Sequence, residues 1–181
     1  MKPFEQAGTV KAEVVLAEIE AAPYWNWLNV RRLIKDSKHT ASDDIILRWQ
    51  DLHGAVQEQF TGLDCIDTVT AEAYPILMAA IKLWATGHEI GRVIVAKLPA
   101  GAQVPAHEDQ GEYADWHDRY HWVITTNPDC TLTCQEETLH LPAGTIWRIN
   151  NHDTHSAVNA GDSDRIHVII DARRAAKWPQ E

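Results

Sequence analysis

From residue 91 onward, apolar and polar residues alternate in short runs separated by turn residues, the pattern of half-buried strands. G-R-V-I-V-A-K-L is closed by P-A-G-A and followed by A-Q-V-P-A-H-E-D. Arg119 to Thr126 is closed by N-P-D, and T-L-T-C-Q and T-L-H-L precede the turn P-A-G. T-I-W-R-I-N, His155 to Asn159 and Arg165 to Asp171 complete the series. About eight short strands with regular turns predict a mainly β domain with flanking helices, a barrel or jelly roll. Residues 1–90 carry mixed signals within the same domain. Asp43 to Gln50 is a short β-rich run, and Val14, Val15, Leu16 and Ile19 fit a strand or a helix. The clearest helix is Thr68 to Thr86, with Thr70 as cap, Ile76, Ala79, Ala80, Leu83 and Trp84 at helical spacing, and Gly87 as its end. Pro75 offers an alternative first turn.

Period two sorts the side chains of each strand between two faces. Arg119, His121 and Val123 share one face, and Tyr120, Trp122 and Ile124 the other. Arg165, His167, Ile169 and Asp171 share a face, opposite the apolar Ile166, Val168 and Ile170, which are expected to pack against the helical part. An inward Arg is costly unless it meets an anion, and Arg119 and His121 pointing into the same space make a bound dianion a natural resolution.

Composition changes this picture little. Hydrophobic residues are 45% of the 181, ordinary for a globular core. Eight Trp against two Phe mean an aromatic load of indoles, whose N–H groups need partners. A net charge of −10 speaks against nucleic acid. No apolar run approaches a membrane span, and the amino terminus has no signal-like apolar region. Three Cys without a secretory signal suggest reduced thiols and a cytoplasmic location, with a small molecule or peptide as the expected partner. Cys130 and Cys134, four apart, read as structural thiols.

His107, Asp109, His155 and Arg165 carry the chemistry. H-x-D followed by a distant His matches the facial triad that holds ferrous iron with positions left open. Residues two apart on a strand point the same way, so His107 and Asp109 can reach one metal from one strand, while His155 comes from another. Arg165, ten residues further on, suits an anionic co-substrate on the same metal. His152 competes with His155 as ligand, and His117 with His121 offers a zinc pair if helical. A cupin-like metal-binding or sensing protein uses a similar barrel but has no need for an inward Arg165, and a metal-dependent isomerase on the same barrel would be active without an anionic co-substrate. Tyr113, Asp115 and Trp116 in the polar loop Gln110 to Asp118 are expected near substrate, and Asn150 and Asn151 are expected to shape the turn before His155.

The stretch R-V-I-V-A-K-L-P-A-G…H-E-D…D-R-Y-H-W-V-I-T-T-N-P…L-P-A-G-T-I-W-R-I-N-N…H-S-A-V-N-A-G…D-R-I-H-V-I-I-D resembles the aspartyl/asparaginyl β-hydroxylase-like family. The resemblance covers about residues 91–173; N-V-R-R…H-T-A-S-D-D-I-I-L-R is similar to the family's amino-terminal region. It implies a double-stranded β-helix dioxygenase using Fe(II), 2-oxoglutarate and O2 to hydroxylate an unactivated C–H bond of an amino acid or peptidyl side chain. It implies His107, Asp109 and His155 as iron ligands, Arg165 as anchor for the distal carboxylate of 2-oxoglutarate, and Arg119 and His121 as further contacts to it. The peptidyl aspartyl hydroxylases of the family have Gly in place of the acid ligand. Keeping Asp109 makes this chain more similar to the free-proline cis-hydroxylases.

Overall fold

The computed structural model of the chain describes residues 1–21, 41–50 and 65–174. In order, the elements are β1 (Phe4–Thr9), α1 (Glu13–Ala21), β2 (Asp43–Gln50), β3 (Cys65–Asp67), α2 (Pro75–Trp84), β4 (His88–Leu98), β5 (Gln103–His107), α3 (Glu112–Trp116), β6 (Asp118–Thr125), β7 (Cys130–Cys134), β8 (Glu137–Leu139), β9 (Thr145–Ile149), β10 (His155–Asn159) and β11 (Arg165–Arg174). Seven strands form a large sheet in the order β1-β9-β6-β11-β4-β2-β3, and four form a small sheet, β5-β10-β7-β8. All the strand pairings are antiparallel. The two sheets face each other: Phe4, Val123 and Ile149 of the large one pack with Leu132 and Cys134 of the small one. This is the jelly roll expected from the strand pattern, in the form of the double-stranded β-helix that the family resemblance implies. Among the described residues no helix is long and apolar enough to cross a membrane.

The large sheet has two faces of different character, and alternation along its strands decides which residue goes where. Tyr120, Trp122 and Ile124 of β6 join Ile166, Val168 and Ile170 of β11 in a core closed by Val15 and Ile19 of α1 and Leu77 and Ile81 of α2. Each such buried side chain contributes about 1.5–3 kcal/mol. The Trp122 indole N–H meets the need foreseen for it by donating to the Val10 carbonyl at 3.2 Å. The opposite face of the same strands, bearing Arg119, His121, Arg165, His167 and Asp171, is turned to the small sheet, which leaves its polar residues to build a site.

The amino-terminal part departs from its expectations in detail. Val14 to Ile19 is helical, with Val15 and Ile19 buried one turn apart. The long helix from Thr68 is broken: a 3-10 turn occupies Val69–Ala73, and α2 begins at Pro75. Proline excludes the helical conformation from the residue before it, and Tyr74 sits at φ −128°, ψ 52°. No side chain within the turn caps it; Thr68 Oγ1 donates instead to the Ile46 carbonyl at 2.8 Å. The exposed first N–H groups of α2 are satisfied from α1, where the Glu18 carboxylate accepts from Ile76 N at 2.9 Å and Leu77 N at 2.8 Å. The segment resembling the family's amino-terminal region lies largely outside the described residues, with Ala41 to Arg48 inside them.

Candidate functional site

The small sheet supplies the histidines. His107 ends β5, His155 begins β10, and the two are register partners. Their ring centroids lie 4.2 Å apart. His107 Nδ1 sits 2.8 Å from the Pro105 carbonyl, and His155 Nδ1 sits 3.0 Å from the Asp153 carbonyl. A carbonyl can only accept, so each Nδ1 bears the hydrogen and each Nε2 presents a lone pair. Burial lowers the His155 pKa and so keeps that imidazole neutral.

Asp109 is reached differently from the expected strand alternation, because β5 ends at His107. The residue lies in the following loop and is fastened to the β9–β10 turn: its N–H donates to the Asn151 carbonyl at 3.0 Å, and Asn151 Nδ2 donates to its Oδ2 at 3.2 Å. Asn151 therefore positions the carboxylate as well as shaping a turn, a role that no spacing signal disclosed. With it in place, one ligating atom from each of His107, Asp109 and His155 lies within 4.8 Å of the others. Among the described residues this is the only such grouping of metal-ligating side chains. Burial raises the Asp109 pKa, but the Arg119 guanidinium, and after it His155 and the Asn151 amide, outweigh it and hold the carboxyl at about 2.

The large sheet supplies the charged wall opposite. Arg119 was expected on the co-substrate; its nitrogens are engaged by two carboxylates. Nε donates to Asp171 Oδ1 at 2.8 Å, Nη2 donates to Asp171 Oδ2 at 3.0 Å, and Nη1 donates to Asp109. Arg165 is the contrast. It is 5% exposed, its Nε has no hydrogen-bond partner, and no carboxylate among the described residues pairs with it. Burial pushes it down to about 10, so it stays charged at neutral pH. His121 and His167 lie between, with their Nδ1 atoms 3.2 Å apart. Burial, and next Arg165, hold both well below the usual imidazole range, so both are neutral and one hydrogen lies between them. His107, His155, Arg119, His121 and Arg165 line one cavity between the sheets.

The donor set fits a small divalent ion with open positions: two imidazole lone pairs and an ionised carboxylate. The partnerless Arg165 Nε fits an anion in the same cavity.

The remaining expectations resolve locally. His117 and His121 lie along extended chain, about 13 Å apart at strand rise, so they cannot share a metal. His117 stacks on Tyr113 at 4.3 Å instead. His152 faces Asp115 at 3.6 Å rather than the ligand cluster. The expected polar loop holds the short helix α3. Tyr113 is buried, with its hydroxyl accepting from Arg92 N at 2.7 Å, whereas Trp116 and Asp115 are exposed. All three cysteines are buried free thiols.

The fold and site together define a double-stranded β-helix with a His/Asp/His cluster between its sheets. The family model for aspartyl/asparaginyl beta-hydroxylase matches residues 17–175, and the chain belongs to that family. An L-proline cis-4-hydroxylase of Rhizobium meliloti (strain 1021) is 28% identical over 82 residues, 45% of this chain and 29% of that protein. The matched stretch thus spans less than a third of that relative. A prolyl-4-hydroxylase from Pseudomonas putida is similar in fold, with TM-score 0.50 at 15% identity over 96% of this chain and 94% of that one. A 2OG-Fe(II) oxygenase family oxidoreductase from Burkholderia pseudomallei gives TM-score 0.56 at 10% identity over 75% and 69%.

Proposed function

We propose that this protein is an Fe(II)- and 2-oxoglutarate-dependent hydroxylase acting on an unactivated C–H bond of an amino acid or a peptidyl side chain. The observation that carries the reading is the buried Arg165, without a carboxylate partner among the described residues, lining the same cavity as His107 and His155. A metal-binding protein without a co-substrate has no use for a desolvated cation there, whereas a keto-diacid compensates it. Family membership and the proline hydroxylase relative support the same reaction class.

Bound Fe(II) and 2-oxoglutarate supply the oxidising power, with one oxygen atom of O2 entering the C–H bond as 2-oxoglutarate is consumed to succinate and carbon dioxide. The chain's residues do the rest by position and charge. His107 and His155 offer Nε2 because their Nδ1–H groups are tied to carbonyls. Asp109 is kept ionised and aimed by Asn151 and Arg119. Arg165 grips the distal carboxylate of the co-substrate, and His121 supplies a further donor from the same wall. The apolar Leu98, Val104 and Ile169 exclude water around that grip.

Anaerobic addition of 2-oxoglutarate to Fe(II)-loaded protein tests the reading. A weak visible metal-to-ligand charge-transfer band is expected, absent in His107→Ala and much reduced in Arg165→Ala. A folded wild type that binds Fe(II) and shows no band would overturn it. Succinate release against amino acids and peptides then identifies the substrate.

A further inference from the structure

We infer that Asp171 is a positioning residue for the metal site, acting through Arg119. The inference rests on the function proposed above. Asp171 is 2% exposed, and both of its carboxylate oxygens are taken by Arg119. That two-point grip fixes the plane of the guanidinium and commits Nε and Nη2, leaving Nη1 as the nitrogen that reaches Asp109. The grip is built into the fold, because Asp171 and Arg119 are register partners on β11 and β6. Asp109, by contrast, sits in a loop and depends on Asn151 and Arg119 for its aim.

Asp171 therefore does two things at a distance from the metal. It keeps the carboxylate ligand aligned by holding the group that holds it. It also offsets the Arg119 charge, which would otherwise oppose a dication arriving at Asp109. An anionic co-substrate responds to the second effect with the opposite sign. Removing the Asp171 charge makes the cavity more positive, which weakens a cation and favours a dianion. A residue that merely stabilised the fold would weaken both ligands together.

Asp171→Asn provides the test, since it keeps shape and one acceptor while removing the charge. Mn(II) affinity is read by electron paramagnetic resonance of the free ion. 2-Oxoglutarate affinity is read by calorimetry on metal-saturated, oxygen-free protein. The expected result is Mn(II) binding weaker by about 10- to 100-fold, as for outer partners of metal ligands, with 2-oxoglutarate bound as tightly as in wild type or more so. Asp171→Glu, which restores the charge, should recover part of the Mn(II) affinity. Arg119→Lys gives an independent check, because one ammonium cannot grip both oxygens of Asp171 and also reach Asp109, and it too should weaken Mn(II). Equal Mn(II) affinity in wild type and Asp171→Asn overturns the inference alone, and so does parallel weakening of both ligands. Mn(II) bound no better by wild type than by His107→Ala overturns the metal reading itself, and this inference with it.

Discussion

Two arginines enter the same cavity from neighbouring strands and are supported in opposite ways. Arg119 on β6 is gripped by Asp171 and shared with Asp109, so its charge is compensated within the protein. Arg165 on β11 has no carboxylate partner among the described residues and an Nε without a hydrogen bond. Folding accounts for the first, because the buried Asp171 and the half-buried Asp109 need a cation. Folding does not account for the second, and a stability cost retained at one point in a cavity describes the ligand that relieves it. The end that carries the His107, Asp109 and His155 cluster is complete in its protein contacts, and the Arg165 end is complementary to the co-substrate proposed for it.

The largest expected effect follows from giving both arginines the same substitution. Arg119→Met strands the buried Asp171 and the half-buried Asp109 as uncompensated charges and should cost about 3–5 kcal/mol of stability. Arg165→Met removes a charge that the fold does not use, and should leave stability unchanged or raise it by about 1 kcal/mol. Urea unfolding of metal-free protein measures both. Losses of equal size would erase the distinction between the two ends.

Arg165→Met should also weaken 2-oxoglutarate by about 3 kcal/mol, or about 150-fold, the scale for truncating one partner of a buried charge pair. Calorimetry on metal-saturated, oxygen-free protein reads this. A variant more stable than wild type yet defective in co-substrate binding would sharpen the comparison; one that binds normally would transfer the anchor to another residue.

A smaller effect appears with pH. The Asp109 carboxyl falls from 3.8 to about 2 in the folded protein, where burial alone would have raised it. A depressed carboxyl pKa contributes stability that is present above the unfolded value and lost as pH falls through the folded one. The contribution should be about 2 kcal/mol, disappearing between about pH 4 and pH 2. Acid unfolding of metal-free Asp109→Asn should show a shallower loss over that window. An identical acid profile for variant and wild type would mean that Arg119 does not hold this carboxylate as described.

Much of this site is legible in the chain because alternation on one strand is local information. Ile166, Val168 and Ile170 on the helix side, with Arg165, His167 and Asp171 on the other, follow from period two alone. The order of H-x-D, distant His and Arg likewise locates the His107, Asp109 and His155 cluster and the inward cation. What stays hidden is whatever depends on pairing across the sheet or on a loop. The Asp171–Arg119 grip requires the register of β11 with β6, which neither strand specifies by itself. Asn151 is indistinguishable from a turn residue until its loop meets Asp109. β1 has little apolar alternation and forms on the edge beside β9, with Phe4 its buried anchor. Tyr113, in a polar loop, is expected near substrate, yet it is drawn under the Arg92 guanidinium, 3.8 Å above its ring, where Gly91 leaves room for its hydroxyl.

The smallest effect concerns the His121–His167 pair, and it tests how far the ligand-seeking end extends. One hydrogen lies between two Nδ1 atoms, so two arrangements exist. If His121 donates it, the other nitrogen of His121 is a bare lone pair in the cavity, and His167 is left with a buried Nε2–H that has no acceptor. If His167 donates it, His121 offers an N–H to the cavity, and the partnerless Nε2 of His167 is only a lone pair. A bound carboxylate selects the second arrangement, because it repels a lone pair and accepts from an N–H. His167→Phe removes the enforcing partner and should weaken 2-oxoglutarate by about 1 kcal/mol, or about fivefold. His167→Asn, whose amide can donate in place of Nδ1–H, should lose less. Nitrogen-15 imidazole shifts of His121 should report Nε2–H in the wild-type complex and a mixture in His167→Phe. Wild-type affinity in the Phe variant would confine the anion-binding end to Arg165.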